Sequence, residues 1–412
     1  MHETPLTGLV LSGGGARAAY QVGVLRVLCQ LRREAQGQQA SASNPFGIIV
    51  GTSAGAINGA ALACQADRFD AVVDGLYEVW RNFHADQVYR TDSLGVLHNG
   101  ARWLTMMSVG WAIARWRKWR PRSLLNNTPL AGLLQQLVPM ERLPSMLARK
   151  HLHAFAVTAS NYNSGEHVTF YNSTQAIKPW LRSNRLAVPA MLVHEHLMAS
   201  AAIPFIFPAI RLHHDGASAW YGDGSMRQTA PLSPAIHLGA QRLLIIGAGR
   251  MHEPKVAKPN DATYPTLAQV AGHAMSSIFL DALSVDIERL ERINRTMALL
   301  PAAAQTTLRP IQTLVLAPSQ RLDDIAARHV DSLPGSIRLL LRGAGVGHTE
   351  GPVQGAALAS YLLFEASYTR ELLALGEADT WAKKAEVLQF FNWQPNESAS
   401  VPVATPLALA DR

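Results

Sequence analysis

The stretch Phe46-Gly47-Ile48-Ile49-Val50-Gly51-Thr52-Ser53-Ala54-Gly55-Ala56 decides the fold. Its apolar run through Val50 reads as a strand, and the small residues from Ala56 to Ala63 read as a helix. Ser53 falls on the sharp turn between them. A serine at that turn is held above the edge of a sheet. Gly51 and Gly55, two places before and two after, leave room for the tight backbone.

The same pattern repeats upstream. Leu6 to Leu11 reads as a buried first strand, and Ser12-Gly13-Gly14-Gly15-Ala16-Arg17 as a glycine loop. Ala18 to Glu34 then reads as a helix with Val22, Leu25, Leu28 and Leu31 roughly on one face. Downstream, a helix is expected over Phe69 to Phe83. Leu152 to Ala159 and His167 to Tyr171 read as a hairpin, joined by a turn at Asn161 to Gly165. Trp220 to Gly224 reads as a strand end with a turn, and Pro234 to Leu238 as a short helix. Strands are expected at Arg242 to Ile246 and Ile311 to Ala317. Helices are expected over Val270 to Leu299, Ser336 to Leu341, Gly355 to Leu375 and Thr380 to Phe391. Such alternation predicts an α/β fold of three layers, α/β/α, with a largely parallel central sheet and C-terminal helices. The expected division is a catalytic domain over 6–247, a mostly helical extension over 248–391 and a tail over 392–412.

The chain has 412 residues, 48% hydrophobic and 16% charged, which marks a globular protein. No uncharged apolar run reaches the length of a membrane span, so a spanning helix is not expected. The N-terminus lacks the basic head and apolar stretch of a secretory signal. Cys29 and Cys64 are the only cysteines, too few for a disulfide scaffold. These features predict a cytoplasmic protein, with peripheral membrane contact.

That contact is suggested by charge. The net charge is +7, and no acidic residue occurs from Ser93 to Met140. Arg102, Arg115, Arg117, Lys118, Arg120 and Arg122 fall in that span among Trp103, Trp111, Trp116 and Trp119. Tryptophan favours the lipid–water boundary and basic groups favour anionic headgroups. Trp111, Trp116, Trp119, Arg115, Arg117 and Lys118 are therefore the expected membrane contacts. A cap whose tryptophans pack on the core is the competing reading. Nucleic-acid binding finds no motif.

The chemistry centres on Ser53. A hydroxyl needs a base beside it and donors for the negative charge that builds on a substrate oxygen. Gly13, Gly14 and Gly15 sit between a strand and a helix, where their N–H groups can face one anion. Arg17 could brace that loop or contact a phosphate. The loop also fits a dinucleotide fingerprint, but Glu34 lies at a helix end rather than on a second strand. The base is open between a late histidine, such as His329 or His348, and Asp223 in the turn before Gly224. His194-Glu195-His196 and His213-His214-Asp215 lack helical zinc spacing and read as surface loops. No metal or organic cofactor is expected.

Four blocks, in order, resemble the patatin-like phospholipases. They are Leu9 to Arg17, Gly51 to Gly55, Ala199 to Pro208, and Asp223-Gly224 with Pro231 and Ala235 to Ala240. The resemblance covers the chain up to about Gly247. It implies a Ser-Asp dyad without histidine, with Ser53 as nucleophile and Asp223 as general base. It implies an oxyanion hole at Gly13, Gly14 and Gly15, supported by Arg17, Gly51, Gly55 and Gly224. The activity implied is lipid acyl hydrolysis of the phospholipase A, lysophospholipase or esterase type. An acyltransferase or a membrane-surface regulatory module with little turnover are the alternatives. Two residues depart from the family pattern: Ala18, where glycine is common, and Ser225, where glycine or alanine is usual.

Overall fold

A computed structural model describes residues 5–36, 44–92, 123–177, 179–214, 216–251, 264–301, 306–343, 345–346 and 355–393. The basic tryptophan segment, with Trp111, Trp116, Trp119, Arg115, Arg117 and Lys118, lies outside the described residues, as do His348, Asp215 and the expected tail beyond Trp393.

The described residues form one sheet of ten strands. These are β1 (Thr7–Leu11), β2 (Ile48–Thr52), β3 (Ala154–Asn161), β4 (His167–Ser173), β5 (Leu181–Arg182), β6 (Arg185–Pro189), β7 (Ile210–His214), β8 (Ala217–Asp223), β9 (Arg242–Ile246) and β10 (Gln312–Leu316). The main path runs β10-β9-β1-β2-β3-β4-β6-β5. From β10 to β3 every pairing is parallel. The sheet turns antiparallel at β3–β4 and again where β8 meets β3 and β7.

The helices are α1 (Ala19–Gln36), α2 (Ala54–Ala63), α3 (Phe69–Arg81), α4 (Thr128–Leu137), α5 (Leu143–Ala148), α6 (His194–Ser200), α7 (Ser233–His237), α8 (Leu267–Ser276), α9 (Ala282–Leu299), α10 (Leu322–His329), α11 (Gly335–Gly343), α12 (Ala356–Leu362), α13 (Ala366–Ala382) and α14 (Lys384–Phe391). Side chains alternate across the central strands. Leu9, Leu11, Ile49, Leu244 and Ile246 enter the core beneath α1 and α2. Val10, Ile48, Val50, Leu243 and Ile245 enter a second core with Leu283, Ile287 and Leu290 of α9. Two apolar cores on either face of one sheet make the three layers. Each fully buried Leu or Ile contributes roughly 1.5–3 kcal/mol.

The C-terminal part is woven into this frame. β10 extends the parallel sheet beside β9. α13 lies against α1 so closely that a Cβ at Gly23 would fall 2.1 Å from the Leu373 carbonyl oxygen. On the other side of the same contact, one at Gly376 would fall 2.3 Å from the Tyr20 carbonyl oxygen.

Several elements differ from their sequence reading. His194-Glu195-His196 opens α6 rather than lying in a surface loop, and His196 is buried against the Phe170 ring at 4.9 Å. The run from Gly355 to Leu375 is two helices, broken at Leu363 to Glu365. A helical stretch, Leu267–Leu299, is long and apolar enough to cross a membrane by length and composition, with mean hydropathy 1.2 over its most apolar window. It is interrupted by a π turn, Ser277–Asp281. Its buried residues Leu283, Ile287 and Leu290 cover the sheet, as the inward stripe of a core helix does, while Phe279 packs on Tyr361.

Candidate active site

Strand register brings the site together. β2 pairs with β3 only up to Thr52 opposite Thr158. β8 takes over the same edge of β3, running the opposite way, and ends with Asp223 opposite Ala159. The ends of β2 and β8 therefore meet, and the residue after Thr52 is Ser53. Its Oγ donates to Asp223 Oδ2 at 2.6 Å. Both residues are buried.

Ser53 adopts φ 54° and ψ −128°, a conformation that non-glycine residues avoid. Its N–H donates to Ser200 Oγ at 2.8 Å, a strut from α6. Ser53 O accepts from Ala56 N, the first turn of α2. The turn depends on close backbone approach: a Cβ at Gly55 would lie 2.5 Å from the Leu11 and Ser12 carbonyl oxygens, and Gly51 and Gly224 are equally crowded by backbone. Thr52 Oγ1 meets Thr158 Oγ1 at 2.8 Å and accepts from Gln228 Nε2 at 2.9 Å, which pins the end of β2.

Asp223 is a fully buried carboxylate. Burial raises its pKa to about 6, partly offset by hydrogen bonds from Ser53 and from the Ser225 N–H, which reaches Oδ1 at 2.8 Å. At neutral pH the group is ionised but more basic than an exposed aspartate. Ser225 thus keeps the backbone geometry of the turn although the resembling family has glycine or alanine there. His167, buried under this turn, meets the Gly224 carbonyl at 3.0 Å through Nε2. Burial lowers its pKa to about 4, so it is neutral and donates.

The glycine loop lies alongside. Within the described residues, the Gly13, Gly14 and Gly15 N–H groups donate no hydrogen bond. Gly13 faces Ser53 so closely that a Cβ built on it would sit 3.1 Å from Ser53 Cβ. Gly15 has φ +56° and presses on the Tyr361 carbonyl, where no side chain fits. Gln21 Nε2 holds the Ser12 carbonyl at 2.8 Å.

Arg17 had two readings, and its guanidinium is engaged inward. Nε and Nη2 donate to Ser360 Oγ at 2.8 and 2.6 Å, Nη2 pairs with Asp323, and the group lies 4.0 Å over the Tyr361 ring. It ties the loop to α10 and α12. His329, one of the histidine candidates for a base, meets Glu371 at 2.7 Å instead. His213 and His214 lie on β7, and no metal-ligand cluster occurs among the described residues.

An apolar cavity of about 60 Å³ begins at Ser53 and Gly15 and runs between α2, α3 and α4. Ile57, Leu76, Trp80, Phe83, Leu130 and Leu134 are among its walls. Its one polar side chain besides Ser53 is Asn58, whose amide is consumed by Gln21, the Ala18 carbonyl and Trp80 Nε1. The wall therefore offers a ligand no competing polar group. Sequence reading missed Ser200, Gln228, Asn58 and His167, because each is a lone polar residue whose partner is distant in the chain.

The family model for patatin-like phospholipases matches residues 9–236, more than half of the chain. No curated protein matches. Solved structures that match include human GIVD cytosolic phospholipase A2, at 13% identity and TM-score 0.41, covering 94% of this chain and 60% of that one. The same human protein in complex with methyl gamma-linolenyl fluorophosphonate gives 14% identity and TM-score 0.39, covering 94% and 59%. VipD from Legionella pneumophila gives 13% identity and TM-score 0.26, covering 90% and 67%. The chain spans about three fifths of the human protein's length. With the matched model enclosing the glycine loop, the serine turn and the aspartate turn, the chain belongs to the patatin-like phospholipase family.

Proposed function

We propose that the protein is a lipid acyl hydrolase that cleaves carboxylic esters through Ser53 and Asp223. The observation that carries this reading is the 2.6 Å hydrogen bond from Ser53 Oγ to Asp223 Oδ2 at the end of an apolar cavity. Family membership adds lipid esters as the substrate class.

In this reading the acyl chain lies in the cavity with its carbonyl over Ser53. Oγ attacks the carbonyl carbon while Asp223 takes its proton. The oxyanion is met by the N–H groups of the glycine loop, with Gly13, Gly14 and Gly15 the donors not already used within the described residues. Each such donor contributes roughly 3–4 kcal/mol to transition-state stabilisation. Asp223 returns the proton to the leaving alcohol, and the acyl group stays on Ser53. Water, giving its proton to Asp223, then attacks the acyl carbon; the bond to Ser53 Oγ breaks, Asp223 returns the proton to Oγ, and the fatty acid is released. The cavity walls on α2, α3 and α4 are apolar, which suits an acyl chain.

The test is labelling with a serine-reactive fluorophosphonate together with ester hydrolysis. Wild type should label and turn over, and Ser53→Ala should do neither. Turnover that survives Ser53→Ala would end the proposal.

A further inference from the structure

The end of the sheet opposite Ser53 holds a second polar site. Arg242 opens β9, at the amino ends of the parallel strands. Its side chain is 9% exposed and lies over Phe390, 4.6 Å from the ring centroid. Nε and Nη2 are enclosed and have no hydrogen-bond partner, and no carboxylate of the described residues pairs with the group. A buried cation is ordinarily paired, because an isolated one loses its hydration without replacement.

Arg242 lines a cleft of about 770 Å³. Arg32, Lys150, His151 and His153 line it as well, and no Asp or Glu of the described residues does. Arg32 is ion-paired with Asp70, so its charge is balanced within the fold. His153 Nδ1 is enclosed without a partner. Neutral amides, including Asn44 and Gln241, supply further polar groups. Two cations, Arg242 and Lys150, thus border one solvent-accessible space with no counter-charge among the described residues of its walls.

We propose that this cleft binds a phosphate-bearing anion, a phosphomonoester or inorganic phosphate. Such a group carries close to two negative charges near pH 7, which matches the two unbalanced cations. It accepts several hydrogen bonds at once, and a guanidinium is built to donate them. The cleft is also bordered by Phe391, Asn392 and Trp393 at the end of α14. A bound anion would bridge α14 to the start of β9 and so stabilise the native chain.

The experiment is thermal denaturation of the full chain at constant ionic strength, titrated with inorganic phosphate or glycerol 3-phosphate against sodium chloride. Wild type should gain roughly 3 °C at a hundred times the dissociation constant, saturably. Arg242→Met should lose that gain, and Lys150→Gln, an exposed change that leaves the fold alone, should weaken it. Sedimentation with vesicles of phosphatidylcholine, with and without phosphatidic acid, distinguishes the source. A soluble ligand gives the shift without vesicle binding. A lipid headgroup gives phosphatidic acid-dependent sedimentation that Arg242→Met abolishes. Equal shifts in phosphate and chloride, or wild type and Arg242→Met behaving alike with every probe, would overturn the proposal.

Discussion

Arg17 and Arg242 are both enclosed guanidiniums, at opposite ends of the same parallel strands. Arg17 follows the carboxyl end of β1 and has a full set of partners in Ser360, Asp323 and the Tyr361 ring. Arg242 opens β9 and has an aromatic ring but no acceptor. The contrast extends to their surroundings. Around Ser53, the amides and hydroxyls of Gln21, Asn58, Ser200 and Gln228 are matched, and only Ser225 Oγ is enclosed there without a partner among the described residues. A matched polar network fixes geometry, since every alternative arrangement leaves a buried group unsatisfied. That is what a reaction centre needs before its substrate arrives. An unmatched one is complete only when something else fills it.

The largest expected effects lie at the matched end. Ser53→Ala and Asp223→Asn should each lower hydrolysis of a short soluble ester by about 10⁴-fold or more. Their stabilities should not fall with their activities. Asp223 has a folded pKa of about 6 against about 3.9 unfolded. Between those values the folded state binds more protons, so stability declines as pH rises through that window. Above about pH 6 the ionised carboxylate is a net cost, and Asp223→Asn should melt at or above the wild-type temperature. Loss of activity accompanied by a lower melting temperature would mean that Asp223 is mainly a structural turn residue.

Arg17→Met comes next. It strands Asp323 and Ser360 and releases the loop from α12. Removing one partner of a buried pair costs about 3 kcal/mol, read as a shift in the denaturant midpoint. Hydrolysis should fall as well, because Gly15 leans on the Tyr361 carbonyl that this cluster positions. Unchanged stability would place Arg17 with Arg242 and dissolve the contrast.

The matched end was the more legible in sequence, and the reason is local. Gly13 to Gly15 and Gly51 to Gly55 each combine a strand end, a turn and a helix start within a few residues. Asp223-Gly224 was visible as a turn, but its pairing with Ser53 depends on β8 replacing β2 along β3, a register set across 170 positions. β5, β6 and β7 carry too little alternation to announce themselves. α6 was misread because His194, Glu195 and His196 are polar, whereas burial of His196 comes from Phe170 on another strand. The Arg242 cleft has no motif, since its walls come from seven separate stretches of chain.

The pH profile separates the two ends by about a factor of ten per unit. Protonated Asp223 cannot accept the Ser53 proton, so kcat/KM should fall tenfold per pH unit below about 6 and level off above it. A guanidinium stays charged over the same range. Measuring kcat/KM from pH 4.5 to 8 on a soluble ester, alongside the melting temperature, tests this. An inflection near 7 that vanishes with a histidine substitution would point to a different base.

Arg242→Met is the smallest expected change and the sharpest counterpart to Arg17→Met. Methionine keeps the length that covers Phe390 and removes a cation that no described residue neutralises. Burying an unpaired charge costs free energy, and burying a thioether does not. In chloride buffer, stability should therefore be unchanged or rise by about 1 kcal/mol. The same substitution at Arg17 should be costly, although both remove a largely buried guanidinium. If both variants lose stability equally, the cation–π contact with Phe390 is a sufficient partner for Arg242. If only Arg17→Met does, what decides the cost of removing a buried charge here is the acceptor it leaves behind.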